Sequence, residues 1–73
     1  MVRRQPVSSS YIRSVGYDPQ GHVLEIEFQN DGVYQYEDVE QDIYADLMAA
    51  PSKGRYFTDR IRDNFSWRRV EED

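Results

Sequence analysis

A chain of 73 residues is one domain at most, and at this size folding buries only about 60% of the surface the unfolded chain exposes. There is no cysteine, which excludes disulfides and thiolate metal sites, and the formal charge of -5 disfavours a generic polyanion binder. No apolar run approaches the roughly 18 residues of a membrane span, and the first residues lack the apolar stretch of a signal peptide, so a cytoplasmic protein without a membrane partner is expected.

Residues 1–7 have no periodicity and read as a flexible lead to a single domain over residues 8–66. Residues 11–17 read as a strand. Asp18-Pro19-Gln20-Gly21 is a turn in which Pro presets φ and Gly accepts the left-handed conformation. A three-residue loop of Pro19, Gln20 and Gly21 sets Gly16 opposite Leu24, Ser14 opposite Ile26 and Ile12 opposite Phe28. Arg13 then meets Glu27, and Tyr17 meets Val23, on the other face. A second three-residue loop, Asn30-Asp31-Gly32, sets Phe28 opposite Tyr34 and Ile26 opposite Tyr36. The two turns together place Ile12, Leu24, Ile26, Phe28, Tyr34 and Tyr36 on one face, which a one-residue slip would scatter.

That apolar face needs a cover. Asp38 reads as an N-cap with Gln41 completing a capping box, after which Val39, Ile43, Leu47 and Ala50 recur at helical spacing, widened by Tyr44 and Met48, up to Pro51. Ser52 reads as the cap of a second helix lined by Phe57, Ile61 and Phe65. Gly54 is a poor helix former in its first turn, which predicts a close approach to that backbone or an irregular turn. Residues 67–73 read as a polar tail in which only Trp67 and Val70 are fit to dock. The expected fold is α+β: a three-stranded antiparallel meander followed by two helices on one face, βββαα.

With those residues in place, the chain resembles the KTSC domain family, short domains named after the C-terminus of certain lysyl-tRNA synthetases and also found alone in bacterial and phage proteins. The resemblance runs through Val7-Ser8-Ser9-Ser10-Tyr11-Ile12, Val15-Gly16-Tyr17-Asp18, Leu24-Glu25-Ile26-Glu27-Phe28, Gly32, Tyr34-Gln35-Tyr36, Val39, Tyr44, Leu47, Ala50, Ser52, Gly54, Tyr56-Phe57 and Ile61-Arg62. Glu40 stands where the family usually has Pro, and its carboxylate suits a helix start through the dipole. The resemblance implies no known activity. Its link to nucleic acid is an association with the synthetases.

Catalysis finds little support in the residue types. His22 is the only histidine and falls in a turn, so neither a metal cluster nor a Ser-His-Asp arrangement has partners, and no cofactor or metal is expected. Glu25 and Glu27 read as cross-strand charge partners of Arg13, and Ser8-Ser9-Ser10 as the entry to an edge strand. Two binding readings stay open. Residues 37–46 carry Glu37, Asp38, Glu40, Asp42 and Asp46 with no cation, whereas residues 52–69 carry Lys53, Arg55, Arg60, Arg62, Arg68 and Arg69 against Asp59 and Asp63. Arginines beside aromatics are what single-stranded nucleic-acid sites use, so Lys53, Arg55, Tyr56, Arg60, Arg62, Arg68 and Arg69 form a candidate contact set for RNA or single-stranded DNA. The alternative is a protein-interaction or self-association surface on the outer sheet face, built from Tyr11, Arg13, Val15, Tyr17, Val23 and Val33.

Overall fold

In the computed structural model, which describes residues 2–70, the chain is α+β, with one antiparallel sheet in the order β1-β2-β3-β4-β5 and two helices. The strands are β1 (Arg4–Pro6), β2 (Ile12–Asp18), β3 (Val23–Phe28), β4 (Gly32–Tyr36) and β5 (Trp67–Val70); helices α1 (Gln41–Ala49) and α2 (Lys53–Arg60) sit in the connection between β4 and β5. The expected three strands are therefore corrected to five. β1 comes from the supposed flexible lead and β5 from the supposed polar tail, of which residues 71–73 lie outside the described residues. Both are short edge strands rich in charge, and β1 carries Pro6, which a central strand would not tolerate. Such strands exist through their neighbour's hydrogen bonds, so local pattern hardly marks them.

The first register is also corrected. Asp18 pairs with Val23, Tyr17 with Leu24, Val15 with Ile26 and Ser14 with Glu27, around a four-residue loop. The left-handed residue of that loop is His22 (φ 55°), a residue type that tolerates this region, while Asp18 Oδ1 accepts the Gln20 N–H at 3.0 Å. A bulge at Arg13 then restores Ile12 to Phe28. Gln29 holds the bulge: its N–H donates to Tyr11 O at 3.0 Å, and its side-chain amide donates to Ser9 O at 3.2 Å and Ile12 O at 3.4 Å. The Ser9 hydroxyl in turn accepts the N–H groups of Tyr11 and Ile12, both at 3.2 Å, so Ser9 leads the chain into β2, which is an inner strand between β1 and β3 and not the edge strand expected.

The second hairpin is shifted by two residues, with Ile26 opposite Tyr34 and Leu24 opposite Tyr36, and Gly32 (φ 84°) closes the turn. A shift of two preserves the face. Tyr34 and Tyr36 accordingly lie with Leu24, Ile26 and Phe28 against the helices, as the sequence predicts. The one-residue shift of β2 has the opposite effect. It turns Val15 (fully buried) and Tyr17 into the core, where Tyr17 stacks on Tyr44 with ring centroids 5.0 Å apart and donates its hydroxyl to Val39 O at 2.6 Å.

Helix α1 starts at Gln41 rather than after Asp38. Asp38 is left-handed (φ 59°), and the cap position belongs to Glu40, whose side chain makes no cap hydrogen bond. Val39, Ile43, Tyr44, Leu47 and Met48 face the sheet as expected, and Ala50 leaves the helix in an extended conformation before Pro51. For α2 the Ser52 cap is present, accepting the Arg55 N–H at 3.4 Å. The helix ends at Arg60, so Phe65 reaches the core from the turn that follows. A Cβ at Gly54 would lie 3.1 Å from Tyr11 Cβ, the close approach that glycine foreshadows.

The outer sheet face is polar. Arg4, Gly16, Glu25, Gln35 and Arg68 are successive register partners and form one row across all five strands. Gly16 has no side chain to intervene, so Arg4 Nη1 reaches Glu25 Oε2 at 2.6 Å, Gln35 Nε2 donates to Glu25 Oε1 at 2.8 Å, and Arg68 Nη2 donates to Gln35 Oε1 at 2.9 Å. A Cβ at Gly16 would stand 2.6 Å from the Arg3 carbonyl oxygen, so residues 2–3 cross directly above it. Glu25, expected as an exposed partner of Arg13, is in fact only 6% exposed. Glu25→Ala removes the acceptor of Arg4 Nη1 and of the Gln35 amide, while Arg4 Nε keeps the Ser14 hydroxyl at 3.1 Å and Gln35 keeps Arg68, and is expected to cost about 2 kcal/mol. Glu27→Ala, which removes one Ser14 hydroxyl bond at 2.9 Å, should cost under about 1 kcal/mol. Urea titrations of the two variants check the ranking; equal midpoints would show that the row contributes nothing.

Candidate functional site

The helices cover the sheet over β2 to β4 but stop short of β5, and this shortfall makes a cleft. Trp67 and Arg69 alternate onto the helix-side face of β5, opposite Tyr36 and Tyr34. With no helix above it, Trp67 is left 56% exposed. The cleft measures about 440 Å³ and is lined by Tyr11, Phe28, Asp31, Tyr34, Tyr36, Phe57, Arg62, Asp63 and Trp67. That volume lies within the range of about 300–1,000 Å³ typical of ligand sites.

Its aromatic lining is continuous. Trp67 packs on Tyr34 at 5.3 Å, Tyr34 on Phe28 at 5.5 Å, Phe28 on Phe57 at 5.1 Å and on Tyr11 at 5.2 Å. Phe28 and Phe57 are buried floor, while Trp67 and Tyr11 (46% exposed) stand at the two ends. Burial pushes the Tyr34 hydroxyl pKa up, assisted by Asp31, whose carboxylate accepts a hydrogen bond from it at 3.1 Å; Arg69 opposes the shift. Burial likewise raises Tyr36, with Tyr11 and Tyr34 adding to it and Arg62 opposing. Both phenols therefore stay neutral hydrogen-bonding groups at physiological pH.

The sequence-derived basic set is divided by the fold. Arg62 lines the cleft, and Arg69 flanks it beside Asp31, its guanidinium so close to Gly32 that a Cβ there would lie 3.0 Å from Nη2. Arg68 points to the opposite sheet face, held by Gln35. Lys53 and Arg55 border a separate groove with Ser8, Ser9 and Ser10, and Lys53 Nζ donates to Ala50 O at 3.2 Å. Arg55 faces Asp59 at 3.7 Å in an exposed pair worth little, and Tyr56 and Arg60 line a third groove beside Pro51. A continuous ridge along α2 is absent, because α2 ends before Arg62 and β5 alternates Arg68 and Arg69 between faces.

The second candidate set is not brought together either. Val15 and Tyr17 are in the core, Val33 is 3% exposed on the outer face beside Val70, and Tyr11 lies on the helix side against Gly54. Only Arg13, exposed at the bulge with its guanidinium donating to Gln29 O at 3.4 Å, and the half-buried Val23 remain. Of the nine lining residues only Tyr11 and Arg62 belong to a sequence-derived candidate set; Phe28, Tyr34, Tyr36 and Phe57 are expected there as core, Trp67 as a tail residue fit to dock, and Asp31 and Asp63 carry no site expectation.

His22 is exposed in its turn. Among the described residues no group of three or more His, Cys, Asp or Glu side chains is placed to hold a metal, and no helix is long and apolar enough to cross a membrane.

The architecture and the motifs have known counterparts. Residues 8–65 match the KTSC domain family. The chain belongs to that family. A crystal structure of a KTSC domain protein from Yersinia pestis superposes with a TM-score of 0.95 at 45% identity, covering 97% of this chain and 100% of that one. An uncharacterized protein of Stutzerimonas stutzeri is 41% identical over 56 residues, 77% of this chain and 79% of the relative. A lysine–tRNA ligase of Nostoc sp. is 33% identical over 61 residues, which are 84% of this chain but 11% of the ligase. The KTSC domain thus occurs both nearly by itself and as a small part of a large protein. Glu40 is the N-cap of α1, which starts at Gln41.

Proposed function

We propose that this KTSC domain is a small, non-catalytic module that binds RNA or single-stranded DNA through the aromatic cleft. One observation carries the reading: two exposed rings, Trp67 and Tyr11, bracket a buried aromatic floor, with Arg62 lining the cleft and Arg69 at its edge. Unpaired bases stack on such rings while arginines take the flanking phosphates. The occurrence of the domain within proteins named lysine–tRNA ligase supports the same reading. Of the arginines named from the sequence, Arg69 at the edge is the phosphate contact and Arg62 lies inside the cleft within reach of a stacked base; Lys53, Arg55 and Arg60 are too far around α2 to share it without a longer strand.

Trp67 is the sole tryptophan, so its fluorescence reports the site directly. Titration with short single-stranded RNA and DNA near about 50 mM salt is expected to quench it with a micromolar Kd. The single phosphate contact at Arg69 predicts about a threefold loss between about 50 and 200 mM salt. Trp67→Ala, followed by anisotropy of a labelled oligomer, should weaken binding about tenfold or more, the usual effect of removing a stacking ring. Absence of binding to either nucleic acid at low salt would remove the proposal.

Association with a protein or a second copy is a second reading, favoured by one feature: among the described residues β5 is an edge strand with no neighbour beyond it. Such pairing would survive added salt, and a monomer in sedimentation at high concentration would count against self-association.

A further inference from the structure

The polar groups of the cleft are as informative as its rings. Among the described residues, Asp63 and Arg62 line it with side chains that make no hydrogen bond or ion pair to the rest of the chain. Asp31, by contrast, already accepts the Tyr34 hydroxyl. The cleft therefore presents one uncommitted acceptor pair, the Asp63 carboxylate, and one uncommitted donor fork, the Arg62 guanidinium, around a stacking surface.

From this pairing we infer that the cleft selects an unpaired guanine base, an inference that rests on the nucleic-acid reading above. A carboxylate only accepts, and its two oxygens need two adjacent donors. Guanine supplies them in N1–H and the N2 amino group. Adenine and cytosine each set one amino donor beside a ring acceptor, and uracil sets one N–H between two carbonyls, so each would place an acceptor against a carboxylate oxygen. Guanine is also the base whose O6 and N7 form the acceptor pair that a guanidinium takes bidentately. An acceptor pair and a donor fork beside one stacking surface thus match the donor and acceptor edges of guanine together. The purine ring is the larger stacking partner for Trp67 and Tyr34, whose ring centroids are 5.3 Å apart. A cationic occupant such as a methylated lysine would use the same rings, with Asp31 and Asp63 in its favour and Arg62 and Arg69 against it, so it stands as an outcome of the test.

The test uses the full chain and four labelled hexamers: all-uridine, and the same with a single central guanine, adenine or cytosine, at about 50 mM salt. The guanine hexamer is expected to bind about tenfold or more tightly than the other three, the discrimination typical of a good bidentate contact. Asp63→Ala, a change at an exposed turn residue, should bring the guanine hexamer down to the affinity of the uridine hexamer. Asp63→Asn, which keeps the shape but replaces one acceptor by a donor, should do the same. Equal affinity for all four hexamers, or preference for another base, overturns the guanine inference while the nucleic-acid reading stands. A guanine preference that survives both Asp63 variants overturns the assignment of Asp63. No binding by any hexamer overturns both readings, and saturation by a trimethyl-lysine peptide in that case assigns the cleft to a cation.

Discussion

Phe57→Ala is expected to lower stability by about 4 kcal/mol, the largest effect of any single truncation in this domain. Phe57 is 2% exposed and is the ring on which the sheet and α2 meet: Phe28 packs on it at 5.1 Å, Tyr36 at 5.4 Å and Tyr11 at 6.2 Å. Its removal leaves a cavity bounded by aromatic side chains that cannot collapse without unseating β4. Small domains lie toward the low end of the usual range of about 5–15 kcal/mol, so this loss should leave the chain substantially unfolded at ambient temperature. Far-UV circular dichroism with a urea titration decides the matter. A midpoint close to that of the parent chain would mean that Phe57 is not the keystone of the packing.

Tyr36→Ala should cost about 3 kcal/mol for a related reason. Tyr36 is 4% exposed, edge-on to Phe57 at 74°, and contributes to both the core and the cleft. Tyr36→Phe keeps the ring and should cost under about 1 kcal/mol, because among the described residues no protein partner of the hydroxyl is lost. The phenol also predicts alkaline behaviour. Burial raises its pKa in the folded chain above the ordinary 10.0 that it regains on unfolding. The folded state therefore holds this proton more tightly, so the stabilisation is complete below about pH 10 and is lost as pH rises toward the folded value. Burial pushes Tyr17, Tyr34 and Tyr56 in the same direction. Thermal unfolding followed from pH 9 to pH 11 should show a falling midpoint, and Tyr36→Phe should flatten that fall. If Tyr36→Ala folded normally and lost only ligand binding, the Tyr34/Tyr36 pair would be a recognition surface rather than core.

Much of the fold is legible in single residues. Leu24, Ile26 and Phe28 alternate, and Tyr34 and Tyr36 keep the same parity across a turn, so both strands present one face whichever even register they adopt. Ser52, Pro51 and the Val39-Ile43-Leu47 spacing mark the helices, and Gly54 signals its neighbour without naming Tyr11. The candidate site is much less legible. It depends on where α2 ends and on an edge strand whose residues, Trp67 and Arg69, are brought beside Asp31, Arg62 and Asp63 only by the antiparallel return of the chain.

Local chemistry in the sequence determined an α+β domain with a central apolar strand, two helices on one face and Tyr34 and Tyr36 turned inward, because hydrophobic alternation and caps act over a few residues. Tertiary structure alone decided the register of β2, and the reason lies at Arg13. Ile12 and Val15 are three apart, an odd spacing that a regular strand divides between two faces, and a bulge is the way to bury both. The bulge is secured by Gln29 on the neighbouring strand's turn, a contact no local pattern announces. The same holds for β1 and β5. Their backbone groups are satisfied by β2 and β4, so they become strands only once those partners are in place.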